Sequence, residues 1–188
     1  MRSMLRPLIR ASFYPTLLLN RVMQWLGLWE RWNWVDDVLL LGALPSRGDL
    51  ARLRALGVTG VVNFCAEFGG HTRELAAAGI EQLHLKTLDY HPPSEQDMRC
   101  AIEFIARHAA AGGKVYTHCK AGRGRSATLA VCHVVWTQQL SAEQAYAAVK
   151  RARRQIDGRL ARRECVKAIE RRMRAGELPP PPPGRTAQ

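Results

Sequence analysis

Cys119 and Arg125 are the two residues whose types and spacing most directly indicate chemistry. They bracket the segment HCKAGRGRS (residues 118–126), in which five residues separate the thiol from the guanidinium and Ser126 follows. A thiolate is a strong nucleophile, and a planar guanidinium can bind two oxygens of a phosphoryl group at once. The spacing therefore indicates phosphoryl transfer to sulfur, with Arg125 stabilising the charge on the phosphoryl oxygens.

The residues between the thiol and the guanidinium are suited to binding an anion. They join a predicted strand, KVYTH, to a predicted helix over residues 126–138, and a helix N-terminus offers unpaired amides and a positive dipole end. Gly122 and Gly124 allow the amides to turn inward around a phosphate, and the same amides would stabilise a thiolate. Ser126 can hydrogen-bond the sulfur and ease its departure. The predicted phosphate-binding residues are Lys120, Ala121, Gly122, Arg123, Gly124 and Arg125.

Two other interpretations of this segment explain fewer of its residues. Gly122, Gly124 and Ala127 also fit the dinucleotide-binding pattern G-x-G-x-x-A, but the helix is followed by another helix rather than by the required second strand. A structural glycine turn beside a buried cysteine gives no reason for both Arg125 and Ser126. An enzymatic phosphate loop explains all of these residues.

The rest of the sequence predicts alternating strands and helices that position this loop. A hairpin turns at Asp36 and Asp37, Gly57 ends a helix, Ser94 caps another, and Ser141 with Gln144 forms a capping box. Strands are predicted in VTGVVNF, IEQLHLKT and KVYTH, and helices in GDLARLRALG, in HTRELAAAG, from Ser94 to Gly112, over 126–138, from Ser141 and over 160–175. This pattern predicts an α/β fold that ends in a cluster of helices.

Composition restricts the class of protein. A chain of 188 residues fits one domain, and the net charge of +12 with a pI near 10.3 indicates an anionic partner. Five cysteines without C-x-x-C spacing argue against a disulfide framework or a zinc site and indicate a reducing compartment. The six histidines have no metal-ligand spacing, so we expect no metal and no cofactor.

The two ends of the chain differ from the middle. Residues 1–34 are basic and rich in aromatic residues, and they predict a membrane-interface helix, a targeting segment or a helix packed on the core. Residues 177–188 are a proline-rich tail that we expect to be disordered. Between Lys150 and Arg174, eleven basic residues face three acidic ones, which predicts either a solvated surface or a functional basic face.

The segment HCKAGRGRS matches the H-C-x5-R-[ST] signature of the cysteine-dependent phosphatases and resembles their dual-specificity subfamily. With FYPTLLL, VLLLGALPS, GVVNFCAEF and AGIEQLHLKTLD, the chain resembles the phosphatidylglycerophosphate phosphatase branch over roughly residues 13–175. VVNFCAE and DYHPP are similar to tensin-type phosphoinositide phosphatases. The resemblance implies a single α/β phosphatase domain over 35–176, with a mixed, mainly parallel sheet flanked by helices. An extra N-terminal amphipathic helix before this domain is predicted by the helical spacing of Leu18, Val22, Trp25, Leu26 and Trp29.

The resemblance also implies a role for each matching residue. Cys119 is the nucleophile, Arg125 clamps the phosphate, Ser126 assists thiolate release, and Asp89 in KTLDYHPP is the general acid. Asp89 precedes Cys119 by thirty residues, and its alternative role is to form a turn before the two prolines.

Supporting roles are implied for three further residues. Glu67 supports the site or lies on the surface, His118 orients the loop beneath Cys119, and Cys65 is a redox partner of Cys119 or a small apolar core residue. The chain departs from the nearer branch at Gly124, where serine is common, and at residues 160–162, where Pro-Ser-Gln is common.

We therefore expect a metal-independent phosphomonoester hydrolase that forms a phosphocysteine intermediate on a phospholipid headgroup. Lys120 and Arg123 are expected to project from the loop, and they favour a multiply anionic or membrane-bound substrate. A protein-tyrosine or dual-specificity protein phosphatase is the alternative, and a catalytically idle anion-binding module is the third hypothesis. We expect a monomer with peripheral membrane contact and no nucleic acid partner, at the cytoplasmic face in a bacterium or the matrix side of a mitochondrion.

Overall fold

A five-stranded sheet organises the chain, which is described here from a computed structural model that covers residues 15–23 and 25–182. The strands are β1 (Trp32–Trp34), β2 (Leu39–Gly42), β3 (Val58–Cys65), β4 (Glu81–Thr87) and β5 (Lys114–His118). The helices are α1 (15–23), α2 (Arg47–Ala55), α3 (Thr72–Ala77), α4 (Glu95–Ala110), α5 (Arg125–Gln138), α6 (Ala142–Ala152) and α7 (Glu164–Arg174), with a 3₁₀ turn at Leu160–Arg162.

The sheet is mixed and mainly parallel, as the resemblance implied. The strand order is β1-β2-β5-β3-β4, with β1 antiparallel to β2 and the other pairs parallel. The β1–β2 hairpin turns at the predicted place because Asp36 Oδ1 accepts hydrogen bonds from the amides of Val38 and Leu39, as turn-forming aspartates do. Strand β5, which leads into the predicted phosphate loop, lies at the centre.

Both faces of the sheet are covered by helices. Successive side chains of a strand point to opposite faces, and the strands carry apolar residues on both. Leu40, Val61 and Tyr116 pack against residues of α2 and α3, whereas Leu41, Val62 and Val115 pack against the larger cluster formed by α4 to α7. The central strand is therefore shielded from water from Val115 to His118. The phosphate loop follows its carboxyl end.

Local signals in the sequence set most helix boundaries. Ser94 and Ser141 form capping boxes at the starts of α4 and α6, and Gly57 follows α2 with a φ of 85°. The predicted helix over 160–175 is shorter than expected. Arg163 is extended (φ −67°, ψ 134°), which separates the 3₁₀ turn from α7 at Glu164.

The N-terminal segment packs on the domain with one side and exposes the other. Leu17 contacts the main core and Asn20 is buried. The exposed large apolar residues of this segment are Leu18, Leu19, Val22, Trp25, Leu26 and Leu28. Residues 1–14 of the predicted basic segment and 183–188 of the predicted tail lie outside the described residues.

The segment after α7 has no regular secondary structure as far as residue 182. It is nevertheless held at one point, because Trp136 Nε1 donates a hydrogen bond of 2.7 Å to the carbonyl of Pro179. Among the residues that the structure describes, no helix has both the length and the apolar character needed to cross a bilayer.

Candidate active site

The predicted site residues meet at one edge of the sheet. Strands β3, β4 and β5 are parallel, so their carboxyl ends lie together, and Cys65, Thr87 and His118 are their last residues. Cys119 follows β5 directly, and Glu67 and Asp89 follow β3 and β4 by two residues each. Open α/β sheets place their ligands at this edge.

The loop between β5 and α5 has a backbone that requires glycine at one position. Gly122 has a φ of 67°, and a Cβ there would lie 2.4 Å from the carbonyl oxygen of Gly42. Gly124 has a φ of −116°, and a Cβ would meet only the Arg163 guanidinium, at 3.7 Å. A serine side chain at this position, as in the nearer branch, therefore has room at its Cβ.

The Cys119 thiol lies at the bottom of this loop, 4% exposed. Burial acts to raise its pKa, but the charge of Arg125, a hydrogen bond from the Ser126 hydroxyl and the amides of Ser126 and Gly122 lower the pKa to about 7. Ser126 Oγ donates to Cys119 Sγ over 3.3 Å. A large fraction of the sulfur is therefore ionised at neutral pH.

Arg125, the first residue of α5, is buried and held by four acceptors. Its Nη1 donates to Glu67 Oε2 (2.9 Å) and to the carbonyls of Thr87 (2.7 Å) and Phe64 (3.4 Å), and its Nη2 donates to Asp89 Oδ1 (3.0 Å). Burial alone would lower the pKa of Arg125, but Cys119, Cys65, Asp89 and Glu67 raise it. The guanidinium is thus a fixed cation beside the sulfur.

Asp89 is drawn into the site by two cations. Its carboxylate pairs with Arg125 and with Lys120 Nζ. The next residue, Tyr90, has a positive φ of 64° and lies under Lys120, with Nζ 5.4 Å from the ring centre. Strained backbone of this kind often occurs where a functional side chain must be aimed.

Glu67 lies in the site rather than on the surface, since its side chain is only 2% exposed. One carboxylate oxygen binds Arg125 and the other accepts a hydrogen bond of 2.7 Å from the amide of Asp89. Glu67 therefore orients both the guanidinium and the segment that carries Asp89. These are the contacts expected of a supporting residue.

His118 and Cys65 lie beneath the site and are buried. Burial lowers the pKa of His118 to about 3, so the imidazole is neutral, and its Nδ1 is 3.4 Å from the carbonyl oxygen of Cys119. Burial also raises the pKa of the Cys65 thiol. Both Cys65 and Cys119 are free cysteines, and the redox role of Cys65 stays a prediction.

Lys120 does not project out of the loop as expected, whereas Arg123 does. Lys120 is only 5% exposed and donates to Thr16 Oγ1 of α1 (2.9 Å) as well as to Asp89. Arg123 is exposed, but its Nε donates to the carbonyl of Gln155, and its guanidinium carbon lies 4.9 Å from the ring centre of Trp29. The N-terminal segment thus contacts the loop at two points.

Two further arginines, which no sequence motif marks, bind this loop. Arg153 binds the carbonyls of Ala121 and Gly122, and Arg163 binds the carbonyl of Gly124. Both belong to the basic run between Lys150 and Arg174, in which burial distinguishes them from their neighbours. Composition carried no signal for that difference.

The chain is similar in sequence to a known family and to curated relatives. Residues 39–170 match the family described as "Dual specificity phosphatase, catalytic domain". The chain is 36% identical over 166 residues to the Arabidopsis thaliana protein named phosphatidylglycerophosphate phosphatase PTPMT2, covering 86% of this chain and 73% of that one. It is 32% identical over 178 residues to the Rattus norvegicus phosphatidylglycerophosphatase and protein-tyrosine phosphatase 1, covering 89% and 92%.

Solved structures have the same fold. The crystal structure of PTPMT1 in complex with PI(5)P superposes with a TM-score of 0.73 at 30% identity, covering 78% of this chain and 99% of that one. The crystal structure of Tk-PTP in the active form has a TM-score of 0.69 at 25% identity, covering 77% and 99%. The family match over residues 39–170 spans strands β2 to β5, the phosphate loop and helices α2 to α6.

Proposed function

The chain belongs to the dual specificity phosphatase family and is a cysteine-dependent phosphatase, and on this premise we propose that it hydrolyses the phosphomonoester of a phospholipid headgroup. The observation that carries the chemistry is the position of the Cys119 sulfur, which accepts a hydrogen bond from Ser126 at the N-terminus of α5 and lies beside the fixed guanidinium of Arg125. A dianionic phosphoryl group fits that arrangement of amides and cation.

In the first step, Cys119 Sγ attacks phosphorus, and an S–P bond forms as the bond between phosphorus and the headgroup oxygen breaks. Arg125 and the loop amides stabilise the equatorial oxygens. Asp89 gives its proton to the departing headgroup oxygen. A bound phosphoryl group competes with Asp89 for Nη2 of Arg125, so that substrate binding frees the carboxyl group for this role.

In the second step, water attacks the phosphocysteine and gives a proton to the Asp89 carboxylate. The S–P bond breaks, its electrons return to sulfur, and inorganic phosphate leaves. Ser126 Oγ, which donates to Cys119 Sγ, stabilises the returning thiolate. Glu67 and His118 position the reacting groups without taking part in proton transfer.

The lipid substrate is supported by the names of the relatives. Two of them are named as phosphatidylglycerophosphate phosphatases, and one solved neighbour is a complex with PI(5)P. Both ligand names describe phosphomonoesters on a lipid headgroup. We infer a phosphatidylglycerophosphate-like substrate for this chain.

The N-terminal segment supports contact with a membrane surface. It places exposed Leu18, Val22 and Trp25 on a segment that binds the phosphate loop through Thr16 and Trp29. Apolar side chains of this kind partition into the interface, and the positive charge of the chain attracts anionic lipids. The headgroup would then be presented next to the loop.

The test compares phosphate release by the purified chain from phosphatidylglycerophosphate vesicles and from phosphotyrosyl peptides. We expect efficient turnover of the vesicles, none by Cys119→Ser, and slower turnover of peptides. Peptide turnover without lipid turnover would contradict the proposal. It would favour a protein phosphatase, the second candidate, which the two-part name of the rat relative supports.

A further inference from the structure

Arg153 is a buried cation that the proposed reaction does not use. It follows α6, is only 1% exposed, and belongs to the largest fully buried side chains of the described residues. Burial lowers the pKa of Arg153, which reflects the free energy lost when a charge leaves water. Such a residue needs strong local contacts in compensation.

The contacts of Arg153 are directed at the phosphate loop. Its Nε donates to the carbonyl of Gly122 (3.0 Å), its Nη2 to the carbonyl of Ala121 (3.3 Å), and its Nη1 to Asn33 Oδ1 on β1 (2.6 Å). These acceptors are all neutral. Within the described part of the chain, no carboxylate forms an ion pair with it.

The position of these carbonyls fixes the direction of the loop amides. In a trans peptide group the C=O and N–H point to opposite sides. The carbonyl of Ala121 shares its group with the amide of Gly122, and the carbonyl of Gly122 shares its group with the amide of Arg123. Holding both carbonyls on the side of Arg153 therefore turns both amides away from it, and the Gly122 amide is one that stabilises the Cys119 thiolate.

We propose that Arg153 is a positioning residue that keeps the phosphate loop in its anion-binding form by binding the carbonyls of Ala121 and Gly122. Without it, these two peptide groups lose their shared donor, and their carbonyls can rotate toward the anion. Gly122 is especially free to rotate, because glycine populates many backbone conformations. Asn33 completes the arrangement by orienting the guanidinium from strand β1.

This inference rests on the proposed function only in taking the loop as a phosphate-binding loop. The probes can therefore be small and soluble: tungstate as an unreactive oxyanion, p-nitrophenyl phosphate as substrate, and iodoacetamide as an alkylating agent for Cys119. If the unmodified chain neither binds tungstate nor hydrolyses p-nitrophenyl phosphate, the proposed function fails. If it does both, the variants test Arg153 alone.

Arg153→Met keeps the apolar stem and removes all three hydrogen bonds. We expect kcat for p-nitrophenyl phosphate to fall about 10²-fold, as when an oxyanion donor is lost, and tungstate affinity to fall about tenfold. The pH midpoint of Cys119 alkylation, followed by mass spectrometry of its peptide, moves upward. Arg153→Lys, which keeps the charge but not the planar fork, recovers part of each loss.

The matched control is Arg154→Met, which removes the same charge from the adjacent, exposed position. We expect all three measurements to stay within about twofold of the unmodified chain. The proposal is overturned if Arg153→Met changes only the melting temperature while kcat, tungstate affinity and the alkylation midpoint stay at control values. If Arg153→Met does not fold, unchanged values in Arg153→Lys overturn the proposal equally.

Discussion

Among the single residues, Cys119 sets the lower limit of the pH range in which we expect activity, because the nucleophile is its thiolate. The pKa of this thiol is lowered to about 7 because Arg125, Ser126 and the loop amides outweigh the effect of burial. A lowered pKa means that the thiolate is the favoured form above the midpoint. We expect the rate of alkylation of Cys119 by iodoacetamide to rise through a midpoint near pH 7 and then level off.

Two buried cysteines provide the comparison in the same digest. Burial raises the pKa values of Cys65 and Cys132, so their peptides stay unlabelled over this pH range. An alkylation midpoint for Cys119 at the pKa of an ordinary thiol, about 8.5, would show that the loop does not stabilise the anion.

The general-acid role of Asp89 matters more for a poor leaving group than for a good one. Asp89→Asn cannot protonate a headgroup alkoxide, so kcat for an alkyl phosphomonoester is expected to fall about 10²- to 10⁴-fold. Loss for p-nitrophenyl phosphate is expected to be much smaller, since nitrophenolate leaves readily without a proton. Steady-state kinetics on both substrates measure the difference.

Asp37→Asn is the control, since Asp37 is an exposed residue of the β1–β2 turn. It should leave both rates unchanged. Equal losses on the two substrates by Asp89→Asn would mean that Asp89 acts only as a counterion of Arg125 and Lys120, and the general-acid assignment would fail.

At the scale of elements, the phosphate loop depends on one glycine more than on the other. Gly122→Ala puts a methyl group 2.4 Å from the Gly42 carbonyl oxygen at a φ of 67°, so the loop must shift. We expect a free energy of unfolding lower by about 1–3 kcal/mol and a loss of tungstate binding. Urea unfolding and calorimetric titration measure the two effects.

Gly124→Ala is the matched variant in the same loop. Its Cβ has ordinary contacts and its φ of −116° suits any residue, so the free energy of unfolding should change by less than about 1 kcal/mol. Equal destabilisation by the two substitutions would contradict the view that Gly122 is the sterically required position.

Sequence patterns predicted those elements whose signals are local. Ser94 and Ser141 cap their helices as expected, and the apolar runs became strands because both faces of the sheet are covered. The helix predicted over 160–175 begins only at Glu164 in the structure. Arg163 is extended because it binds Gly124 and Thr128, which are remote in sequence. For the same reason the buried Arg153 could not be told from the exposed Arg154.

At the scale of the whole molecule, charge and apolar surface act together on one segment. The chain carries a net charge of +12, and the exposed residues around α1 lie on the segment that contacts the phosphate loop. A Leu18→Ser, Trp25→Ser double variant removes apolar surface from residues that are 64% and 83% exposed. We expect its affinity for anionic vesicles to fall about tenfold or more, measured by co-sedimentation.

The same double variant separates membrane contact from catalysis. Neither side chain contributes to the phosphate loop, so turnover of p-nitrophenyl phosphate should be unchanged while turnover of vesicle-borne phosphatidylglycerophosphate falls with vesicle binding. Trp34→Ser, on strand β1, is the control for loss of a partly exposed tryptophan elsewhere. If the double variant binds vesicles as tightly as the unmodified chain, Leu18 and Trp25 do not contribute to membrane contact, because removing their apolar surface would otherwise weaken binding.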